Sequence, residues 1–316
     1  MAATAQAAGP ARPTALNWVL LILLGLIWGA SFLGTKLALD GFGPLTIAAL
    51  RIAIAAAVLL VVAFATGHGL PDHRTATGRR IWLHCFGMAL FSNAIPFSLL
   101  SWGQLHVTSA FAGVTMAVVP LLILPLAHVF VPGEVLTRRK SIGFLVGFAG
   151  VVTLIGPGSF TLIGDDALSN TARLACIAAS CCYATGAIIT RLTPPGHLLS
   201  FSAAAVLIAT LLLMPLALVT EGVPGAPPPL ALGGILYLGL LPTALATVML
   251  VFVIKSAGPS FLGLVNYQVP VWAVVIGLVV LGESLPPQFF AALALILAGL
   301  AAAQAPLRRH RVKTGA

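Results

Sequence analysis

Residues 17–36 read NWVLLILLGLIWGASFLGTK, twenty residues without an acidic group and with one cation, Lys36, at the end. About twenty mostly apolar residues are enough to cross the hydrocarbon core of a bilayer as one α-helix. The stretch is too long for the apolar core of a signal peptide, and the chain before it lacks the features of one, so we expect it to stay in the mature protein. It predicts a first transmembrane helix.

The rest of the chain has the same character. Of its 316 residues, 59% are hydrophobic and 7% are charged, and the mean hydropathy is +1.09. Soluble domains carry roughly 25% charged residues. Nine more apolar segments follow with short connections, so we predict an all-α integral membrane protein with ten transmembrane helices. The predicted helices are 17–36, 44–66, 80–104, 109–131, 141–156, 167–191, 199–220, 230–255, 260–281 and 288–304.

The basic residues lie almost entirely on one side of the predicted membrane. An even number of helices puts both chain ends on one side, and that side holds thirteen of the sixteen Lys and Arg residues: Arg12, Arg74, Arg79, Arg80, Arg138, Arg139, Lys140, Arg191, Lys255, Arg308, Arg309, Arg311 and Lys313. The other side has most of the acidic residues. This asymmetry predicts cytoplasmic termini in the plasma (inner) membrane. The net charge of +9 therefore indicates orientation and lipid contact, and we expect no nucleic acid partner.

The two halves of the chain repeat one pattern. An aromatic residue precedes a cation by eight positions in Trp28…Lys36 and in Tyr183…Arg191. A proline, then Gly-Glu, then Ala-Gly recur further on, at Pro120, Gly133-Glu134 and Ala149-Gly150, and at Pro270, Gly282-Glu283 and Ala298-Gly299. Because five helices are an odd number, the second unit crosses the membrane in the opposite sense. The pattern predicts two inverted five-helix repeats around a central cavity, which is typical of secondary transporters with alternating access.

The repeat gives the domain organisation. We predict a cytoplasmic tail at 1–16, a first repeat at 17–156, a periplasmic linker at 157–166, a second repeat at 167–304 and a basic cytoplasmic tail at 305–316. The linker assignment depends on its Gly-Pro-Gly and Asp-Asp sequences, which are typical of a turn-rich connection.

These residues resemble a known family. The run Ile27-Trp28-Gly29-Ala30-Ser31-Phe32, with Lys36 and then Arg51, resembles the opening of the drug/metabolite transporter superfamily. The paired Pro…Gly-Glu…Ala-Gly patterns resemble the tandem EamA repeats of its ten-helix drug/metabolite exporters. The resemblance covers about residues 17 to 304. It implies a basket-like ten-helix fold with a central cavity, cytoplasmic termini, and export of amino acids or related metabolites; bacterial aromatic amino acid exporters are the subgroup that the chain resembles most.

Polar and aromatic residues at membrane depth are the candidate substrate-binding residues, because a lipid-facing surface has no use for them. Asn266 and Gln268 are the strongest, since an unpartnered amide in hydrocarbon costs several kcal/mol. The full set is Trp28, Ser31, Asn93, Phe97, Ser98, Trp102, Met116, Tyr183, Thr243, Thr247, Asn266, Tyr267 and Gln268. Two alternatives stay open: Trp28 can serve in packing beside Gly25 and Gly29, and the third helix can be a structural helix kinked at Pro96.

Arg51 is a cation inside a predicted helix, and two interpretations compete. It can be structural, paired with Asp40 or a carbonyl group or extending toward the interface. It can instead attract an anionic group of the substrate. The sequence does not separate the two.

The sequence predicts no enzyme, no cofactor and no metal site. Its seven acidic residues are scattered, His84, His106 and His128 lack metal-ligand spacing, the four cysteines are expected to be small buried residues, and a Walker A motif is absent. The expected partners are the bilayer and a small-molecule substrate, with the protein a monomer or alternatively a homodimer. The alternative functions are a membrane-embedded enzyme acting on lipid-linked substrates and a drug or cation exporter of the same fold.

Overall fold

The computed structural model of the chain describes residues 13–156 and 167–304, apart from the side chain of Ser260. The predicted linker at 157–166, the basic tail and most of the N-terminal tail lie outside the described residues. All of the regular secondary structure in the described ranges is helical. The all-α fold predicted from composition is therefore confirmed.

Ten helices run through the described residues and confirm the predicted number. They are α1 Ala15–Ala38, α2 Pro44–Ala65, α3 Ala76–Gly103, α4 Ser109–Phe130, α5 Arg138–Ile155, α6 Ala167–Leu192, α7 Leu198–Thr220, α8 Pro229–Ala257, α9 Val265–Val279 and α10 Pro287–Gln304. Eight of them are long and apolar enough to cross a membrane. Helix α9 is shorter because the predicted segment begins with a separate turn, Pro259–Leu262, and α5 begins with three cations.

Local chemistry fixes where several helices begin. A threonine side chain accepts a hydrogen bond from a backbone N–H of the first turn in four helices of the first repeat, at Thr14, Thr75, Thr108 and Thr137. Such a cap satisfies one of the N–H groups that the first turn leaves without a partner. Helices α2 and α8 begin with Pro44 and Pro229 instead, at a position where a proline loses no hydrogen bond.

Contacts between helix ends define two faces of the bundle. At the face where α1 begins and α10 ends, called the terminal face here, Asn17 donates to Ser256 over 2.6 Å and Arg139 donates to the carbonyl of Ala302 over 2.8 Å. At the opposite, distal face, Lys36 donates to the carbonyl of Gln104 over 3.0 Å. Successive helices thus cross the bundle in alternate directions.

The helix pairs show the repeat. Helix α5 packs against α10, α2 against α7 and α4 against α9, so each of these six helices meets its own counterpart. The other large contacts also come in symmetry-related pairs. Helix α3 packs against α6 as α8 packs against α1, and α1 packs against α9 as α6 packs against α4. The two five-helix halves are therefore related by a pseudo-two-fold axis, and opposite helix directions make the repeat inverted.

Small residues bring the paired helices close together. A Cβ atom on Gly143 would lie 2.6 Å from the carbonyl oxygen of Gly299, and one on Gly299 would collide with the backbone of Gly147. Gly25 and Gly29 of α1 face α9 in the same way, where a Cβ on Gly29 would lie 3.1 Å from the carbonyl oxygen of Val269. Glycines that allow such close approach are typical of helix packing in membranes.

Candidate functional site

Two helices lose regular α-helical geometry at the same point of the repeat. Residues Ala89–Ala94 of α3 and Gly239–Leu245 of α8 are π-helical. The side chains of Asn93 and Thr243 each donate to the carbonyl five residues earlier, to Met88 over 3.1 Å and to Leu238 over 2.8 Å. π-helical turns occur frequently at functional sites, and they re-aim the side chains that follow. The sequence predicted a kink at Pro96, whereas the irregular turn ends just before it.

Arg51 points from α2 to the π-helical turn of α8. Its side chain is only 6% exposed, and its Nε and Nη2 atoms donate to Oγ1 of Thr243 over 3.4 and 3.2 Å. The guanidinium carbon lies 3.8 Å from the ring centre of Phe97, a cation–π contact, and the Phe97 ring is 6.3 Å from that of Tyr183. Among the described residues, Arg51 thus pairs with a hydroxyl and an aromatic ring and not with Asp40, so whether its role is structural or substrate-binding stays a prediction.

The first helix is attached to the same place. Nε1 of Trp28 donates over 3.0 Å to the carbonyl of Pro242, within the π-helical turn of α8. In return, the hydroxyl of Tyr237 on α8 donates over 2.9 Å to the carbonyl of Ile27. Thr243 is the midpoint residue of α8, so this group lies at the middle of the helix. We call Trp28, Arg51, Phe97, Tyr183, Tyr237 and Thr243 the central cluster.

The central cluster contains four of the residues predicted from sequence as cavity candidates, together with Arg51. Thr247 and Ser31 adjoin it and donate to the carbonyls of Thr243 and Trp28, both over 2.6 Å. Ser98, one residue beyond Phe97, donates to the carbonyl of Ala94 over 2.8 Å. These hydroxyl groups satisfy carbonyls of their own helices, so they stabilise the cluster's backbone.

The remaining candidates make other contacts. Trp102 lies toward the distal face, where its ring meets that of His106 edge to face at 5.4 Å. Met116 begins a short 3-10 turn within α4 and packs on the hydrophobic core.

The ninth-helix residues lie at the beginning of α9, toward the terminal face. Asn266 donates to the carbonyl of Gly263 over 3.0 Å, and the hydroxyl of Tyr267 contacts the side chain of Gln304 at 3.2 Å. Gln268 packs on Gly25 of α1. The sequence predicts this segment as the strongest site. In the structure Asn266 has a local carbonyl partner and Gln268 lies against Gly25, three residues before Trp28, so the role of this segment in substrate binding stays a prediction.

Tyr237 is the member of the central cluster that sequence reasoning missed. It lies in the apolar run GGILYLGLLP, residues 233–242, where one phenol is easily taken for an interfacial aromatic residue. The signal was Pro242 five residues later, because a proline inside a helix frees a carbonyl and marks an irregular turn.

A histidine pair marks the terminal face. The rings of His68 and His197 stack with centres 3.4 Å apart, and Nζ of Lys255 lies 3.3 Å from Nε2 of His197. A cavity of about 390 Å³ opens beside them. Burial, with repulsion from His68 and Lys255, lowers the pKa of His197 below its usual value. A second cavity, of about 180 Å³, lies at the distal face beside His106 and Phe289.

The two symmetry-related glutamates have different partners. At the distal face, Glu283 accepts hydrogen bonds from the backbone N–H groups of Ser109 and Ala110, over 2.6 and 3.0 Å, and so caps α4. At the terminal face, its counterpart Glu134 forms ion pairs with Arg191 and Lys140. The hydrogen bond from Arg191 lowers the pKa of Glu134. No described side chain caps the turn Pro259–Leu262 that precedes α9, the counterpart of the beginning of α4.

The described residues contain no group of His, Cys, Asp and Glu that could hold a metal ion. None of the five described carboxylates, Asp40, Asp72, Glu134, Glu221 and Glu283, forms an ion pair with Arg51. The central cluster therefore offers one positive charge, aromatic faces and hydroxyl groups. Such a set can hold a small molecule with an anionic end and an apolar body.

Comparisons with known proteins agree with this architecture. The sequence model described as the EamA-like transporter family matches residues 16–156 and 170–303, one match for each half of the chain. The chain is 27% identical over 285 residues to a protein of Streptantibioticus cattleyicolor named "Probable terminal-alkyne amino-acid exporter", which covers 89% of this chain and 90% of that protein.

Two further likenesses cover most of the chain. The "Uncharacterized inner membrane transporter YedA" of Escherichia coli K12 is 25% identical over 281 residues, which are 88% of this chain and 87% of that protein. A solved structure titled "Crystal structure of protein" superposes with a TM-score of 0.65 at 24% identity and covers 92% of this chain and 98% of its own. That likeness concerns the fold alone.

Proposed function

Because the chain belongs to the EamA-like transporter family, we propose that it is a secondary transporter that exports amino acids, aromatic or otherwise apolar, or related small metabolites by alternating access. The family and its named relatives are transporters rather than enzymes, and the chain is a multi-pass membrane protein. The substrate class, the direction of transport and the mechanism are the proposal.

The observation that carries the proposal is the central cluster. It joins α1, α2 and α3 of the first repeat to α6 and α8 of the second, at the midpoint of α8. A polar group at this depth has no stabilising role toward lipid, and it is retained where it meets protein, water or a transported solute. A binding site shared by two inverted repeats near the middle of the membrane is the arrangement that secondary transporters use.

The unequal glutamates support alternating access. Two halves with similar sequences and an exact symmetry would give Glu134 and Glu283 the same partners. In this structure, Glu283 holds α4 and α9 together at the distal face, while Glu134 binds cations and leaves the turn before α9 without a cap. A pseudo-symmetric protein in an asymmetric state has a second state in which the roles of the faces are exchanged.

Amino acids are the proposed substrates for two reasons. One relative that covers most of the chain is named a probable amino-acid exporter. The central cluster itself combines a cation with the rings of Phe97, Tyr183 and Trp28, which match a carboxylate and an apolar side chain. A cationic drug, the alternative substrate, would have to approach a buried guanidinium of the same charge.

The proposed orientation places the terminal face in the cytoplasm. Basic residues are concentrated at that face, among them Arg74, Arg79, Arg80 and Lys140, and the positive-inside rule assigns it to the cytoplasm. One relative is named an inner membrane transporter, which supports the plasma membrane as the location. Labelling of single cysteines introduced near Arg74 and near Asp40 in intact cells tests the assignment: an impermeant maleimide should react only at the second position.

Reconstituted transport tests the function. Purified protein in liposomes should exchange labelled L-phenylalanine for unlabelled amino acid, whereas vesicles without protein should not. Trp28→Phe removes the hydrogen bond to Pro242 but keeps a ring, and it should slow exchange. Trp18→Phe is the matched control because Trp18 is 49% exposed on the lipid-facing surface, and it should leave exchange unchanged. Absence of saturable movement of any amino acid by the unmodified protein would refute the proposal.

A further inference from the structure

Arg51 has a charge that the described protein does not neutralise. Arg51 is only 6% exposed, and none of the described carboxylates forms an ion pair with it. Among the described residues, its only hydrogen-bond partner is a neutral hydroxyl, that of Thr243. Removing an unpaired charge from water costs several kcal/mol, even after a cation–π contact such as that with Phe97 offsets part of it.

Only part of the guanidinium forms hydrogen bonds with described residues. Nε and Nη2 point at Thr243, while Nη1 donates to no described residue. Nη1 is not among the described atoms that are both fully buried and without a partner, so this atom keeps some accessible surface. Thr243 is itself fixed by its bond to the carbonyl of Leu238 in the π-helical turn. Arg51 is thus held by Thr243, and one edge of its guanidinium makes no hydrogen bond to a described residue.

We propose that Arg51 binds the carboxylate of the transported molecule, so that the site selects small monocarboxylates with an aromatic or apolar body. This inference rests on the proposed function and names the chemistry of its site. A guanidinium matches the planar, two-oxygen geometry of a carboxylate better than an ammonium does. One negative charge balances one cation, whereas a phosphate dianion would leave an excess charge buried. Phe97, Tyr183 and Trp28 supply the apolar contact.

Binding to the detergent-solubilised protein tests the proposal with a matched ligand pair. 3-Phenylpropionate and 3-phenylpropionamide have the same ring and chain, and they differ in charge at one end. Hydrogen bonds to a charged group contribute about 1.5–3 kcal/mol, which corresponds to roughly tenfold to a hundredfold in affinity. We therefore expect the carboxylate to bind at least about tenfold more tightly than the amide in a thermal-shift titration or by calorimetry.

The variants assign the preference to Arg51. Arg51→Gln should remove the difference between the two ligands, and Arg51→Lys should keep part of it because the charge remains. Arg80→Gln is the matched control: it removes an exposed cation at the beginning of α3 and should leave the preference intact. If Arg51→Gln fails to elute as a folded monodisperse protein, the ligand pair on the unmodified protein and on Thr243→Val still decides. Thr243→Val should weaken binding of the carboxylate more than that of the amide.

Two outcomes would overturn the inference. One is equal or tighter binding of the amide by the unmodified protein, which includes the case in which neither ligand binds. The other is a preference for carboxylate that persists in Arg51→Gln. Failure of the proposed function gives a different result, namely carboxylate binding that depends on Arg51 without movement of L-phenylalanine in liposomes. Transport of phenethylamine, which lacks a carboxylate, as fast as L-phenylalanine would keep the transporter and refute the role of Arg51.

Discussion

At the scale of single residues, Gln104 has a buried side-chain amide whose replacement should stabilise the protein. It is fully buried near the distal face, and neither atom of its side-chain amide has a hydrogen-bond partner among the described residues. A buried polar group without a partner destabilises a protein by about 1–3 kcal/mol. Gln104→Met keeps the volume and the backbone carbonyl that accepts from Lys36, and we expect it to raise the melting temperature measured in detergent.

The control for this prediction is Gln288→Met at the exposed beginning of α10, which should change the melting temperature little. A lower melting temperature for Gln104→Met would show that the amide has a partner that the described contacts do not include. That result would contradict the prediction, and the partner of the amide would then be sought in the second state of the proposed transport cycle.

His197 gives a pH-dependent contribution whose sign follows from its surroundings. Its pKa in the folded protein is below the usual 6.5, first because of burial and then because of His68 and Lys255. The unfolded chain therefore takes up a proton at a pH where folded His197 is still neutral, so the free energy of unfolding falls as the pH decreases from above 6.5 toward the folded pKa. We expect the melting temperature in detergent to decrease over this window.

Variants assign that pH dependence. His197→Gln should make the decrease smaller, and His73→Gln, at an exposed position in the connection before α3, should not change it. Glu134 also loses a stabilising contribution on acidification, because its folded pKa is lowered by Arg191, but only below about 4.5, where the unfolded carboxyl is protonated. The melting temperatures of His197→Gln and His73→Gln should therefore depend differently on pH from above 6.5 down to the folded pKa of His197. An identical dependence in this range would refute the role of His197.

At the scale of elements, the α5–α10 contact depends on glycines. A Cβ atom on Gly299 would meet the backbone of Gly147 and the carbonyl of Gly143, which are rigid parts of the facing helix. Forcing extra volume into a packed interface costs about 1–3 kcal/mol. We expect Gly299→Ala to lower the melting temperature in detergent and the yield of monodisperse protein.

The matched control is Gly233→Ala in α8. A Cβ atom there meets nothing within 4 Å. Since alanine favours a helix over glycine by up to about 1 kcal/mol, this variant should be neutral or stabilising. Equal stability of the two variants would show that α5 and α10 are not in close contact in the membrane protein.

The sequence predicts the elements better than the site. Helix number follows from apolar length, and Thr75, Thr108, Pro44 and Pro229 mark helix beginnings by local chemistry alone. A proline such as Pro242 marks an irregular turn, but the sequence does not show that the turn is π-helical, because that depends on whether a carbonyl without its backbone hydrogen bond finds a side-chain partner such as Asn93 or Thr243. The partners of the α9 amides are not visible either: Asn266 donates to a local carbonyl, whereas Gln268 lies against Gly25 of another helix.

At the scale of the whole molecule, the inversion is legible in the sequence, whereas the meeting of distant residues is not. The paired Gly-Glu sequences place Glu134 and Glu283 on opposite faces, and the structure confirms this. Arg51 and Thr243 are 192 positions apart in the sequence, and their contact depends on how α2 and α8 pack. Sequence patterns within one helix hold no information on that packing, so the sequence leaves the contacts of Arg51 open.

The two glutamates lead to a prediction about the whole molecule. Under the proposed alternating access, Glu283 would stabilise closure of the distal face through its charge at the beginning of α4, an interaction that contributes about 1–2 kcal/mol at a helix N terminus. In the exchanged state Glu134 would cap the turn before α9, and Glu283 would pair with Lys36 as Glu134 now pairs with Arg191. Glu283→Gln should therefore raise the population that is open at the distal face by roughly fivefold to thirtyfold.

A single cysteine at position 111 can measure this opening, because Phe111 is 7% exposed and lines the distal cavity. In a background without the four native cysteines, Phe111→Cys should react with a maleimide several times faster when Glu283→Gln is added. Glu221→Gln is the matched control, since Glu221 caps α2 at the same face with the same chemistry. Glu221 directly follows α7, which α2 packs against along its length. Glu221→Gln should lower stability without changing the labelling rate. If both variants accelerate labelling of Cys at position 111 to a similar extent, loss of any cap at the distal face loosens the bundle. That result would refute a role of Glu134 and Glu283 in the exchange between the two states.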